Sequence, residues 1–209
     1  TLAWASPSRR ALYEARLALQ ARAPDARSRV DALGGAHDGD PGLIIDKATY
    51  LRNSGDPLGA RQLLARPRRL TAQPANPEKF MESVVAIARG AVNDRQWTLA
   101  WQMAGQLDDI FPAGTDVSSR SYGERDGYTN LPWIAATWAP KAGRPADAAA
   151  AFDRYGRAAQ SPQTRAKGFY WAARAAAEAG QAQQSSAWLV RAGATPHHVY
   201  RLLALERLG

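Results

Sequence analysis

The chain contains no cysteine and only three histidines among its 209 residues. Without thiols, disulfides, thiolate nucleophiles and cysteine-based metal sites are all excluded. No apolar run reaches about 18 residues, so we predict no membrane span. The sequence also has no glycine-rich phosphate loop and no Gly-x-Ser-x-Gly or His-Glu-x-x-His motif. Nucleophilic and zinc-protease catalysis therefore have no sequence motif here.

The three histidines do not have the spacing of a metal site. His37 lies in a segment rich in glycine and aspartate, and His197 and His198 are adjacent. Neighbouring residues at a helix start point to different faces, whereas zinc needs ligands that converge. We predict no metal site and no cofactor.

The charge balance is basic, with 27 Lys and Arg against 19 Asp and Glu and a net charge of +8. Such a balance suggests an anionic partner: nucleic acid, a membrane surface or an acidic polymer. The arginines are scattered rather than grouped in blocks, and a GC-rich genome also enriches arginine and alanine. Binding to nucleic acid is therefore not expected. With no Met or signal segment at Thr1, we expect the chain to begin inside a larger gene product.

A short pattern recurs along the chain: a turn glycine, a small residue five positions later and a bulky apolar residue four positions after that. The copies are Gly55-Ala60-Leu64, Gly143-Ala148-Phe152, Gly180-Ser185-Leu189 and a fourth without glycine, built on Asn93-Asp94-Arg95, Ala100 and Ala104. Each copy predicts a tight turn, a new helix and a point where another helix passes closely. This pattern is typical of stacked helical hairpins.

Alanine is abundant and β-branched residues are sparse, which favours helix almost everywhere. Asp or Ser before Pro marks several helix starts. We predict about eleven helices and no strand, in an all-α, right-handed superhelix of antiparallel hairpins that is tetratricopeptide-like. The predicted single domain spans 1–209, with hairpins over 1–67 and 76–209 and an irregular loop over 112–127.

Two groups of residues are candidates for ligand binding. The loop over 112–127 gathers Arg120, Tyr122, Glu124 and Arg125, and long loops in helical scaffolds often bind ligands. Alternatively, it is a surface loop that satisfies its own charges, with Arg125 paired to Asp116 or Glu124.

The second group is aromatic and consists of Tyr170, Trp171 and Tyr200. Phe169, Tyr170 and Trp171 place rings around a whole helix, so at least one should line a groove. The chain has seven tryptophans, whose rings could stack on sugars or bases. Alternatively, most of them fill a core rich in alanine.

The segment SPQTRAKGFYWAARAAAEAG over 161–180, followed by ATPHHVYRLLALERLG over 194–209, resembles the helical region of soluble lytic murein transglycosylases. The departures are His197-His198, where that family has Thr-Thr, and Tyr200-Arg201, where it has Tyr-Gly. The resemblance implies a periplasmic parent enzyme that cleaves peptidoglycan with a lysozyme-like domain and no metal.

The catalytic motifs of that family are missing. Glu82-Ser83 is followed by two valines rather than by x-Phe, and no Gly-Leu-Met-Gln occurs. We therefore expect a non-catalytic scaffold that helps to bind or position peptidoglycan strands and the C-terminal catalytic domain of the same parent chain. The alternative is a stand-alone tetratricopeptide-like scaffold that binds a protein.

Overall fold

The computed structural model describes residues 5–107, 109–196 and 199–209. Within these ranges the chain is helical and has no strand, which confirms the predicted all-α class. The described helices are α1 Pro7–Ala21, α2 Ala26–Asp31, α3 Pro41–Asn53, α4 Pro57–Ala65, α5 Pro77–Asn93, α6 Trp97–Gly105, α7 Tyr122–Trp138, α8 Pro145–Ala158, α9 Pro162–Glu178, α10 Ala182–Gly193 and α11 Val199–Leu208. Short 3₁₀ turns cover Val117–Ser119 and Pro140–Ala142.

Most of the predicted helix starts are capped as the sequence indicates. The side chains of Asp40, Asp56, Asn76 and Ser161 each accept a hydrogen bond from the backbone N–H three residues later. A proline follows each cap and has no N–H to leave unpaired. Ser6 differs, because its side chain forms no cap hydrogen bond before α1.

The recurring turn has the same backbone geometry in every copy. Gly55, Gly143 and Gly180 have φ of +87°, +75° and +75°, and Arg95 takes the glycine position of the fourth copy with φ of +58°. The next residue donates its N–H to the carbonyl five positions earlier, at 2.8–2.9 Å. Arg22, with φ of +51°, makes an additional turn of this kind that the sequence pattern did not indicate.

The small residues of the pattern lie where helices approach each other. Ala60, Ala100, Ala104, Ala148 and Ser185 are all buried. A larger side chain at these positions would hold the neighbouring helix away, which is why the pattern places a small residue there.

The closest backbone approach joins α8 and α9 through two glycines. A Cβ built on Gly168 would lie 2.5 Å from the Cα of Gly156, well inside van der Waals contact. Only a residue without a side chain fits there. This contact brings the side chains of α8 and α9 that flank it into one layer.

The helices pack largely in chain order. Each of α4 to α11 contacts the helix before it, and α3 packs on α1. Further contacts join α3 to α5, α4 to α6, α5 to α7 and α9 to α11. The buried apolar residues form successive clusters along this order. None of the described helices is both long and apolar enough to cross a membrane.

The predicted irregular loop over 112–127 is wrong in its second half. Helix α7 already begins at Tyr122, where the Ser121 hydroxyl accepts the N–H of Glu124 and the Glu124 carboxylate accepts the N–H of Ser121. This reciprocal capping box starts the helix early, so the last six residues of the segment predicted to be irregular are helical. The irregular segment is therefore confined to residues before Tyr122 and includes a 3₁₀ turn capped by Asp116.

Candidate functional site

Six aromatic rings form a continuous run across α7, α8, α9 and α11. In order of contact they are Tyr155, Trp133, Phe152, Trp171, Tyr170 and Tyr200, with ring centroids 4.9–6.1 Å apart. We call this run the aromatic cluster. Tilted and edge-to-face contacts at such distances are attractive for aromatic rings. The cluster is therefore a rigid surface built from four helices.

Cations cover several rings of this cluster. The Lys167 Nζ lies 3.9 Å from the Trp133 ring centroid and 5.6 Å from that of Tyr155, and the Arg174 guanidinium lies 5.0 Å from that of Trp171. Lys167 has no carboxylate partner within the described ranges. Partial burial lowers the pKa of Lys167 below its ordinary value of 10.5. Its charge is therefore held by the π faces of the rings rather than by an acid.

An apolar groove opens on one side of the aromatic cluster, between α7, α8 and α9. Its volume is about 250 Å³, and we call it the indole groove. Its lining includes Trp133, Thr137, Phe152, Trp171, Arg174 and Glu178. Two indoles supply flat apolar walls, while Arg174 and Glu178, 3.7 Å apart, supply polar groups at its edge.

A polar pocket opens beside Tyr155 of the same cluster, between α7, α8 and the start of α9. Its volume is about 400 Å³, and we call it the hydroxyl pocket. Its lining includes Tyr122, Arg125, Asp126, Thr129, Tyr155, Gln160, Ser161 and Thr164. Burial, and then the nearby Tyr200 and Asp126, raise the pKa of Tyr155 above 10.0. Its phenol therefore stays protonated and available as a donor at neutral pH.

The predicted loop residues fall into two groups. Tyr122 and Arg125 line the hydroxyl pocket, and Tyr122 is 76% exposed. Arg120 and Glu124 instead form an ion pair at 2.8 Å. The predicted pairing of Arg125 with Asp116 or Glu124 is wrong, because Arg125 donates to the Arg120 carbonyl oxygen.

The predicted aromatic residues also fall into two groups, one that lines the indole groove and one that does not. Trp171 lines the indole groove and is half-buried, as the ring count around its helix predicts. Tyr170 is only 5% exposed and packs against Tyr200, so these two rings support the site rather than line it. His197, His198 and Trp4 lie outside the described residues.

Several residues of the site were not predicted: Trp133, Tyr155, Lys167 and Arg174. Their positions in α7, α8 and α9 are distant in sequence, and only the packing of these helices brings them together. The six tryptophans within the described ranges are all half-buried rather than fully buried. Five of them pack against the buried clusters (Trp101, Trp133, Trp138, Trp171 and Trp188), and of the six only Trp133 and Trp171 line the indole groove.

The chain matches no protein-family model, no curated protein and no solved structure. Within the described part of the chain, no group of three or more His, Asp or Glu side chains is placed to hold a metal ion. The two openings beside the aromatic cluster are therefore the structural features that point to a function.

Proposed function

We propose that this chain is the non-catalytic, superhelical scaffold of a lytic transglycosylase and binds peptidoglycan strands along the aromatic cluster. The observation that carries the proposal is the pairing of an indole groove lined by Trp133 with a hydroxyl pocket lined by Tyr155, because the centroids of these two rings are only 4.9 Å apart. Sugars have apolar C–H faces and polar hydroxyl rims. A flat aromatic wall beside hydroxyl, amide and carboxylate groups complements both.

Charge supports the same ligand class. Arg174 lines the indole groove and lies over Trp171, and Lys167 lies over Trp133, another residue of the groove. Peptidoglycan carries peptide stems with carboxylates, and cations beside a sugar site would attract them. A neutral glycan would gain less from these cations.

The order of helix packing supports the superhelical part of the proposal. Each hairpin buries its apolar face mainly against its chain neighbours, as in a solenoid of tetratricopeptide-like units. The repeated left-handed turns at Gly55, Arg95, Gly143 and Gly180 give successive hairpins one common exit geometry. The finer comparison with tetratricopeptide repeats rests on this common turn and on the Ala148–Phe152 spacing.

Catalysis is assigned to another domain of the parent protein, which would be the structural partner of this scaffold in the periplasm. Glu82 is exposed on α5 and lines neither the indole groove nor the hydroxyl pocket. A glycosidic general acid needs an enclosed site that raises its pKa and positions the bond.

The test is co-sedimentation of the chain with purified peptidoglycan sacculi. Trp171→Ala removes one wall of the indole groove, and Trp97→Ala removes a half-buried tryptophan outside it. We expect the wild type and Trp97→Ala to sediment and Trp171→Ala to stay in solution, with far-UV circular dichroism confirming that each variant is folded. Equal sedimentation of all three would contradict the proposed site. Release of anhydro-muropeptides by the chain alone would contradict the non-catalytic assignment.

A second candidate is a scaffold for a protein partner. Helix α11 presents Val199, Leu202, Leu205 and Leu208 at 42–66% exposure, an apolar stripe with a spacing of three residues. Such a stripe on a short helix favours contact with protein. If no variant or wild type binds sacculi, while Leu202→Glu abolishes capture of a protein partner, this candidate is the better one.

A further inference from the structure

A third opening lies among the N-terminal helices, between α3 and the segment that follows α4. It has a volume of about 350 Å³, and we call it the cationic cavity. Its lining consists of Asp38, Gly39, Leu43, Ile44, Lys47, Leu63, Arg66, Pro67, Arg68 and Arg69. Four cations thus surround one opening whose lining has a single carboxylate.

Three of these cations have no partner of their own. Among the residues that the structure describes, no carboxylate forms an ion pair with Lys47, Arg66 or Arg69, and their side chains form no hydrogen bond. Like charges gathered without acids repel one another, and this repulsion is strongest beside a wall of low dielectric constant. Such an arrangement is favourable when an anion occupies the opening.

The fourth cation, Arg68, fixes the wall of the cavity. Its side chain is 9% exposed and donates to the carbonyl oxygens of Leu64 at 3.3 Å and Gln106 at 3.2 Å. Its nearest acid is Asp109, with the Arg68 Nε 3.9 Å from Oδ2 and without a hydrogen bond. Burial lowers the pKa of Arg68 below its ordinary value, although a guanidinium remains charged at neutral pH.

The opposite wall is tied to the same segment by backbone contacts. The Thr71 N–H and hydroxyl both donate to the Gly39 carbonyl oxygen, at 2.9 and 3.2 Å. A Cβ on Gly39 would lie 2.7 Å from the Arg69 carbonyl oxygen, so this approach requires glycine. These contacts hold the two walls of the cavity together, which reduces the ordering cost of binding.

The floor of the cavity is apolar. Leu43 and Ile44 are 2% and 5% exposed and lie beneath the cations. An occupant should therefore combine an oxyanion with a small apolar body, so that the anion meets the cations and the body covers the floor.

We propose that the cationic cavity is a binding site for a small oxyanion, a phosphate or a carboxylate attached to a compact apolar group. This inference goes beyond the proposed glycan site and does not depend on it, because the two sites share no residue.

The experiment is an isothermal titration of the full chain at constant ionic strength with two probes: inorganic phosphate, and isovalerate, which joins one carboxylate to a compact apolar group. We expect at least one probe to bind with a Kd at or below about 1 mM. Lys47→Gln and Arg66→Gln should each weaken that probe about tenfold, because each removes one charge that faces the anion.

Arg52→Gln is the matched control, because it removes one exposed positive charge from α3 outside the cavity. Phosphate binding alone would assign the site to a phosphate group, and tighter binding of isovalerate would assign it to a carboxylate. Absence of binding by both probes, or equal weakening by Arg52→Gln, would overturn the proposal. Loss of sacculus binding by Trp171→Ala is a separate readout and does not bear on this result.

Discussion

Lys167 and Arg174, beside α7 to α9, lie over aromatic rings, whereas Lys47, Arg66 and Arg69 at the cationic cavity contact neither a ring nor a carboxylate among the described residues. In the first region Lys167 and Arg174 are within 5.0 Å of an indole centroid. An indole face stabilises a cation while leaving its outer side open to ligand. The cations of the cationic cavity, which have no such partner, instead leave a positive charge that an anion can neutralise. The same basic composition thus produces two openings with different chemistry.

The largest expected effect is a loss of stability when the closest contact between α8 and α9 is disrupted. Gly168→Ala would place a Cβ 2.5 Å from the Gly156 Cα and 3.0 Å from the Phe152 carbonyl oxygen. Because both neighbours are backbone, α8 and α9 must separate, and we expect a loss of about 2–3 kcal/mol in the free energy of unfolding. Urea denaturation measures it.

Gly105→Ala is the matched control for that change. A Cβ on Gly105 meets nothing within 4 Å, so only the better helix propensity of alanine remains, a gain of up to about 1 kcal/mol. A loss of stability in Gly105→Ala as large as in Gly168→Ala would contradict the close-contact argument.

The next effect concerns a partnered arginine in the N-terminal half. Arg61 is buried and donates to the Asp94 carboxylate at 2.6 Å and the Gln96 side chain at 2.8 Å. Arg61→Met keeps much of the side-chain volume but loses both hydrogen bonds, at an expected cost of about 2 kcal/mol. Arg52→Met, at an exposed position, should change the unfolding free energy by less than about 0.5 kcal/mol. Similar costs for the two would show that burial and pairing do not distinguish these arginines.

A smaller change in stability is expected from substituting the left-handed residue in two equivalent turns, one in each half of the chain. Gly143 and Arg95 occupy equivalent turns, with φ of +75° and +58°. A side chain costs energy in this conformation, so Gly143→Ala should destabilise by about 1 kcal/mol and Arg95→Gly should stabilise by about 0.5 kcal/mol. Thermal unfolding of both variants gives the sign of each change in stability. Two changes of the same sign would mean that the turns are not equivalent.

The smallest effect is dependent on pH and lies at the start of α7. Hydrogen bonds from Arg120 and then Ser121 lower the pKa of the Glu124 carboxyl below 4.5. The folded chain therefore binds this proton less readily than the unfolded chain. The stabilisation is complete above pH 4.5 and is lost as the pH falls through the folded-state pKa.

Glu124→Gln should remove this dependence. We expect wild type and variant to differ most near neutral pH and to converge on acidification, as measured by urea denaturation at a series of pH values. Glu82→Gln is the control, because it measures the effect on stability of removing a carboxylate at an exposed position. A difference that grows below pH 4.5 would contradict the assignment.

Local chemistry explains why so much of the fold was predictable. The caps at Asp40, Asp56 and Asn76 and the turn at Gly55 depend on residues within about one turn of helix, which a sequence displays directly. The start of α7 was missed, although Ser121 and Glu124 have capping-box spacing, because glycine and charge dominate the surrounding segment.

The site was less predictable because its parts come from different helices. Trp171 was found from the ring count on one helix, but its contact with Phe152 depends on how α9 packs on α8. Tyr170 was expected to bind ligand, yet α11 covers it with Tyr200. Lys167 gave no local signal, because its neighbour Trp133 is contributed by another helix.

The most direct test of the glycan proposal is an NMR titration of the tryptophan indole N–H signals with a soluble peptidoglycan fragment. The signals of Trp133 and Trp171, which line the indole groove, should shift with a common binding curve. Those of Trp97 and Trp138, which stack on each other at 4.5 Å outside the groove, should stay in place. Shifts confined to Trp97 and Trp138, or no shift at saturating fragment, would contradict the account.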